Sequence, residues 1–230
     1  MSQGPGPATV IAIDGPVAAG KTTIGSAVAQ RLGYRFLDTG SMYRALTWLA
    51  LQRGISPEDG AALGRLAAET TMAPPATGAP GKVALVVNGA PLGPELRSAG
   101  VERAVSAVSR HPQVRQALVA RQREIARGGR LVMVGRDIGT VVMPDAPLKV
   151  YLDASPQERA RRRQREQAQQ GEPADPSSVL EELARRDRLD SQRSLSPLQP
   201  APDARVIDTQ GLTPEEVVEQ VLKLLGRVEV

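Results

Sequence analysis

Residues 15–23 read GPVAAGKTT, and they follow the apolar run TVIAID at 9–14. The run is too short and too rich in β-branched residues for a helix, so it reads as a buried strand. The stretch after the corner, KTTIGSAVAQRLG at 21–33, sets Ile24, Val28 and Leu32 at i, i+4 and i+8 and stops at Gly33, which predicts a helix with one apolar stripe. Between strand and helix stand Gly15, Gly20, Lys21 and Thr22 in the spacing G-x-x-x-x-G-K-[ST]. Such a turn offers a phosphate a run of backbone N–H donors, because glycine allows approaches and φ values that a Cβ forbids. The positive end of the following helix adds to the attraction. The reading assigns phosphate contact to Gly15, Pro16, Val17, Ala18, Ala19, Gly20, Lys21, Thr22 and Thr23. Lys21 is expected to bridge the β- and γ-phosphates, and the Thr22 hydroxyl to reach Mg²⁺ as the metal site.

Outward from this corner the chain alternates. YRFLDTG (34–40) reads as a short strand and SMYRALTWLALQRG (41–54) as a helix ending at Gly54. SPEDGAALGRLAAET (56–70) begins with Ser56 as the expected N-cap and Pro57 at the first helical position. MAPPATGAPG (72–81) has too much proline and glycine for either regular element. KVALVVNGAPLG (82–93) predicts a strand and an Asn88-Gly89 turn. Residues 101–127 read as one or two helices broken near Pro112, with His111 at a helix start and without a chemical role. Strands follow at RLVMVG (130–135) and LKVYLDA (148–154), then a helix almost without an apolar face at 156–170 and another at 178–194. ARVIDTQG (204–211) closes the strands, and a helix capped by Thr213 and Pro214 ends the chain. Alternation of this kind predicts an α/β fold with a mostly parallel sheet, interrupted by an insertion around 83–96.

Composition narrows the chemistry. The 230 residues are 41% hydrophobic but only 2% aromatic, so the core must be aliphatic. There is no cysteine and a single histidine, His111. Disulfides, thiolate metal sites and multi-histidine sites are thereby excluded. No apolar run approaches the ~20 residues that span a bilayer, and MSQGPGP at the N-terminus lacks the features of a secretory leader. The expectation is a cytoplasmic protein with no membrane partner and a disordered tail over 1–8. The net charge is +4, and lysine occurs only at 21, 82, 149 and 223. The basic balance is therefore carried by arginine, which pairs with phosphate bidentately.

No Asn-Lys-x-Asp stretch, which would read a guanine, occurs; VYLDA at 150–154 comes nearest to the acidic motif of motor ATPases but lacks the Glu. Dispersed arginines suit a small-molecule kinase instead, since bringing two anionic phosphates together is the electrostatic problem of such an enzyme. DTGSMYR (38–44), GRDIGT (135–140) and RRDRLDSQR (185–193) supply them. The first two follow strands, where α/β sheets bind substrates. In the third, Arg186, Asp190 and Arg193 fall on one helix face. A nucleic-acid-binding protein is the reading from another class. Arginines alternating with acids, and the lack of aromatic stacking platforms, count against it.

Taken together, IDGPVAAGKTT, FLDTGSMYR, GPELRSAGVERAVSAVSRHPQVRQAL, GRDIGTVV, PDAPLKVYLDAS, ERARRR and RRDRLDSQR resemble bacterial cytidylate kinases, in that family's order from about residue 9 onward. The resemblance implies a P-loop NTPase-type three-layer fold: one domain over 9–230, a nucleotide-monophosphate-binding region with an insertion at about 63–106, and a helical lid at about 156–175. It implies transfer of the γ-phosphoryl group of ATP to CMP or dCMP by a monomer that needs Mg²⁺ and binds no nucleic acid. A UMP- or shikimate-directed kinase is the nearest alternative. By the same resemblance, Thr39, Arg44, Arg136, Arg186, Asp190 and Arg193 hold the phosphate and ribose of CMP, and Tyr43 lies among them. Ser106, Arg115 and Asp137 read cytosine, and Arg159 and Arg162 of the lid close on the ATP phosphates. Lys21, Arg136 and Arg186 are the expected catalytic residues. A carboxylate such as Asp137 can accept from the cytosine amino group and would repel a uracil carbonyl. Valine at 134 stands where some relatives carry Asp, so no carboxylate role is assigned there, and the acceptor phosphate needs no general base.

Overall fold

The computed structural model describes residues 10–75, 85–169, 175–192 and 196–227. The proposed tail at 1–8, part of the Pro/Gly-rich stretch and insertion (76–84), residues 170–174 of the expected lid, and Arg193 lie outside the described residues.

The chain divides into two compact units, one of residues 11–28 and 134–230, the other of 29–133 with the residues up to Val10. In the first, β1 (Val10–Asp14) is buried along its whole length and leads into α1 (Lys21–Leu32). A strand covered on both faces reads as a continuous apolar run, as TVIAID does. Ile24 and Val28 of the α1 stripe are buried, while Leu32 at its end is half-buried. The unit also carries β7 (Leu148–Asp153), β8 (Arg205–Asp208), and three helices: α6 (Pro156–Gln169), α7 (Pro176–Ser191) and α8 (Pro214–Leu225). β7 lies parallel to β1, with Ile11 opposite Leu148 and Asp14 opposite Tyr151, and β8 lies parallel to β7. Thr213 caps α8 reciprocally with Glu216, as its position before Pro214 led us to expect.

In the other unit β2 (Arg35–Asp38) feeds α2 (Thr39–Gln52), whose first amides are capped by Asp38, with Gly40 N–H donating at 2.9 Å. α3 (Gly60–Glu69) starts three residues later than the sequence suggested. Asp59 is its cap, accepting from Ala62 N–H at 2.9 Å, whereas Ser56 closes a turn by accepting from Glu58 N–H at 3.3 Å. A three-stranded antiparallel sheet follows: β3 (Met72–Ala73), β4 (Leu85–Val87) and β5 (Ala90–Leu92). Asn88 and Gly89 join the last two with φ of 50° and 81°, the left-handed pair that a tight hairpin requires. Two helices flank Pro112, α4 (Ala99–Val108) and α5 (Pro112–Ala126), and His111 precedes the second with Nε2 2.8 Å from the Pro57 carbonyl oxygen. α3 packs on α5 and α2 on α4, burying Met42, Leu46, Leu63, Leu66, Val101, Val114 and Leu118. β6 (Leu131–Val134), fully buried, carries the chain out of this unit, which ends at Met133.

Hydrogen bonding orders the larger sheet β2-β6-β1-β7-β8 and the smaller one β3-β4-β5. The first matches the expected α/β class with a mostly parallel sheet flanked by helices. In folds of this class, ligands settle beyond the carboxyl ends of the strands.

Candidate active site

The glycine-lined turn takes the conformation its sequence demands. Gly15 has φ of 150° and Gly20 of 92°, and Ala18 is held at 61°, a region that costs a residue with a Cβ about 1 kcal/mol or more. A methyl on Gly15 would sit 2.2 Å from the Leu152 carbonyl oxygen of β7. The Lys21 ammonium reaches back across the turn and donates to the Pro16 carbonyl at 2.6 Å. Thr22 and Thr23 are exposed at the first turn of α1. The turn thus carries backbone amides, one ammonium and a hydroxyl at the start of a helix, the groups that hold an anion of several oxygens.

Asp14, which the sequence reading did not single out, sits directly beneath. It is 3% exposed, and the amides of Ile138 and Gly139 donate to its Oδ1 and Oδ2, each at 2.7 Å. Those amides begin a π-helical turn, Ile138–Val142, to which Asp137 makes no side-chain cap bond. Burial pushes the Asp14 carboxyl up to about 6, against the pull of the two amides and of Lys21 and with a further push from Asp137. Its only sequence signal is a carboxylate closing an otherwise apolar strand.

The raised value has a consequence for stability. Between the ordinary 3.8 and about 6 the native state binds more protons than the unfolded chain, so this group's contribution falls as pH rises through that window. The full change is about 3 kcal/mol at ~1.4 kcal/mol per pKa unit. Urea unfolding of wild type and Asp14→Asn at pH 4 and 7.5 checks it. The difference between the two proteins should move in the variant's favour by most of that amount, about 2.5 kcal/mol, at the higher pH, and a constant difference refutes it.

β6 leads to Arg136 and Asp137, the expected acceptor residues. Arg136 forms an ion pair with Asp190 of α7, whose side chain is almost fully buried. Arg186, one turn earlier on the same helix, is buried and pairs with Glu182 at 3.0 Å. The structure thus brings Arg136, Asp137, Arg186 and Asp190 into the same unit as the Lys21 turn.

The helix without an apolar face is held by its arginines. Arg159, 5% exposed, donates to the carbonyls of Ala154 at 3.1 Å and Val17 at 3.2 Å and pairs with Asp187 at 2.6 Å. Arg162 pairs with Glu158 at 3.1 Å and donates to the hydroxyl and carbonyl oxygens of Thr209 at 2.9 and 2.7 Å. The sequence reading named these two arginines but missed their partners Glu158, Asp187 and Thr209, the last of them 47 residues along the chain from Arg162. Ala160 of α6 packs with Val179 and Leu183 of α7.

The other unit holds the remaining expected residues. Arg115 is buried, with its guanidinium 5.7 Å from the Tyr43 ring centre, within cation–π range. It also donates to the Ser109 carbonyl at 3.5 Å, and the Ser109 hydroxyl donates to the Ser106 carbonyl at 3.2 Å. Arg44 pairs with Glu102 at 3.2 Å, and Thr39 is buried at the start of α2. Tyr43, Ser106 and Arg115 are therefore linked, as are Arg44 and Glu102.

The family model for cytidylate kinase matches residues 11–227. A cytidylate kinase of Geobacillus kaustophilus (strain HTA426) is 49% identical over 216 residues, covering 94% of this chain and 96% of that protein. One from Roseiflexus castenholzii (strain DSM 13941 / HLO8) is 50% identical over 217 residues, covering 93% and 92%. A solved structure of an uncharacterized protein from Eubacterium ventriosum ATCC 27560 aligns with a TM-score of 0.52 over 95% of this chain and 98% of that one; at 11% identity it speaks for the fold alone.

Proposed function

This chain belongs to the cytidylate kinase family, and on that footing we propose that it transfers the γ-phosphoryl group of ATP to CMP or dCMP, giving CDP or dCDP and ADP. The observation that carries the reading is the presence of Arg136 and Asp137, just beyond β6, in the same compact unit as the Lys21 turn. Backbone N–H groups of residues 15 and 17–23 cradle the β-phosphate of ATP. Lys21 leaves the Pro16 carbonyl and moves to the β- and γ-oxygens, where charge accumulates during transfer. Arg136, held by Asp190, and Arg186 neutralise the acceptor phosphate and the group in flight. Asp190, Arg193, Thr39, Tyr43 and Arg44 hold the phosphate and ribose, while Ser106, Arg115 and Asp137 select cytosine. Arg159 and Arg162, in the lid proposed for about 156–175, exchange the carbonyl oxygens of Val17 and Thr209 for phosphate oxygens. The acceptor phosphate is already ionised near neutral pH, so no protein base is assigned, and catalysis is positioning and charge neutralisation.

Mg²⁺ fits this donor set in a specific way. Among the described residues no group of three His, Cys, Asp or Glu could hold a metal, whereas Mg²⁺ is commonly held by substrate phosphates, waters and few protein oxygens. Thr22 is the protein oxygen we assign, and when bound the ion would offset phosphate charge. Among the described residues no helix is long and apolar enough to cross a membrane. The small-molecule substrates of this family support reading the protein as a cytoplasmic monomer without a nucleic-acid partner.

An ADP-release assay with CMP, dCMP, UMP, AMP and shikimate tests the reading. CMP or dCMP should exceed UMP in kcat/KM by at least about tenfold, or ~1.4 kcal/mol. Asp137→Ala should erase most of that margin. A wild type that prefers UMP, or turns over shikimate, overturns the substrate assignment.

A further inference from the structure

We propose that Asp14 is a positioning residue for acceptor selectivity: by gripping the amides of Ile138 and Gly139 it takes over the capping of the turn after β6, so that the Asp137 carboxylate is not drawn into that task. The inference rests on the proposed function, because it assigns a cause to the aim of a residue that reading places on the nucleotide.

An aspartate at the entrance to a helical turn ordinarily folds its own side chain over the first amides. Asp137 occupies that place and makes no such bond. The acceptor comes instead from Asp14, 124 and 125 residues away in sequence, and it is bidentate, with both oxygens at 2.7 Å from successive amides. Two charge-assisted bonds to adjacent N–H groups fix the rotation of the peptide plane between them. The Gly135 amide donates to the Ile13 carbonyl at 3.0 Å just upstream. Residues 136 and 137 are thus strung between two fixed points on β1 and the residue that ends it. Crowding closes the arrangement. A methyl on Gly139 would stand 3.3 Å from Asp14 Oδ2 and 3.1 Å from the Lys149 side chain, tighter than ordinary contact.

The cost of this carboxylate argues for a purpose. It is buried almost completely beside Asp137, and burial raises its pKa. Yet at neutral pH the clamp needs it ionised, since only then are both oxygens acceptors. A neutral amide of the same shape would relieve the buried charge but turn a donor toward one of the two amides.

The test compares Asp14→Asn with wild type at pH 7.5. KM for CMP should rise about tenfold and the CMP-over-UMP ratio of kcat/KM should fall at least about fivefold, with KM for ATP changed less than about twofold. Hydrogen exchange of the peptide spanning 136–142 should be at least about tenfold faster in the variant. Gly139→Ala, which crowds the same carboxylate from the far side, should show the same pattern. A rise in KM for ATP as large as that for CMP would make Asp14 a support of the phosphate turn only, and would overturn the proposal. So would unchanged selectivity, or unchanged exchange at 136–142. A wild type that prefers another acceptor would sink the substrate reading alone; the exchange arm, and the selectivity ratio for that acceptor, would still decide the clamp.

Discussion

A Lys21→Met enzyme should turn over CMP about a thousand times more slowly than wild type, a loss of ~4 kcal/mol in transition-state stabilisation. Methionine keeps the length and apolar stem of lysine and removes only the charge. The ammonium lies 2.6 Å from the Pro16 carbonyl on a partly exposed turn, and that bond is worth about 1 kcal/mol. The expected signature is therefore a collapse of kcat with a melting temperature within a few degrees of wild type. Arginine should not rescue it, because a planar fork cannot occupy the space of a compact ammonium. Steady-state kinetics with thermal unfolding checks this, and activity within tenfold of wild type would remove Lys21 from the chemistry.

Gly15→Ala should fail differently, by structure first. Its Cβ would meet the Leu152 carbonyl oxygen at 2.2 Å, and that oxygen belongs to the backbone of β7, which is hydrogen-bonded to β1 on one side and β8 on the other. No side-chain rotation relieves the contact; either the turn or the strand must move. The φ of 150° adds strain for any residue with a Cβ. We expect a loss of about 3 kcal/mol or more in unfolding free energy, together with loss of measurable ATP binding. Urea denaturation and nucleotide titration read the two effects separately. A variant as stable as wild type that still binds ATP would show that the turn has slack the structure does not reveal.

These contrasts show what was readable beforehand. The strand, turn and helix around Lys21 were legible because each signal is local: an apolar run, a fixed spacing of glycines, a stripe at i, i+4. The Asn88-Gly89 hairpin and the Thr213 cap were legible for the same reason. The start of α3 was not. Ser56 and Asp59 are both good caps in SPEDG, and only the fold decides, by placing the Pro57 carbonyl against His111. The arginine-rich helix was legible as charged and opaque as to partners. Arg159 finds Val17, 142 residues away, and no periodicity reports such a distance. Asp14 was missed because its partners are backbone amides, which carry no mark in the sequence of side chains.

The carboxylate under the turn also sets a trap for protein engineering. Its burial makes its charge costlier to the fold as pH rises, so a campaign that ranks substitutions by heat resistance alone has reason to try asparagine at that spot. On the proposed clamp, accepting that change would loosen the choice between one pyrimidine and the other.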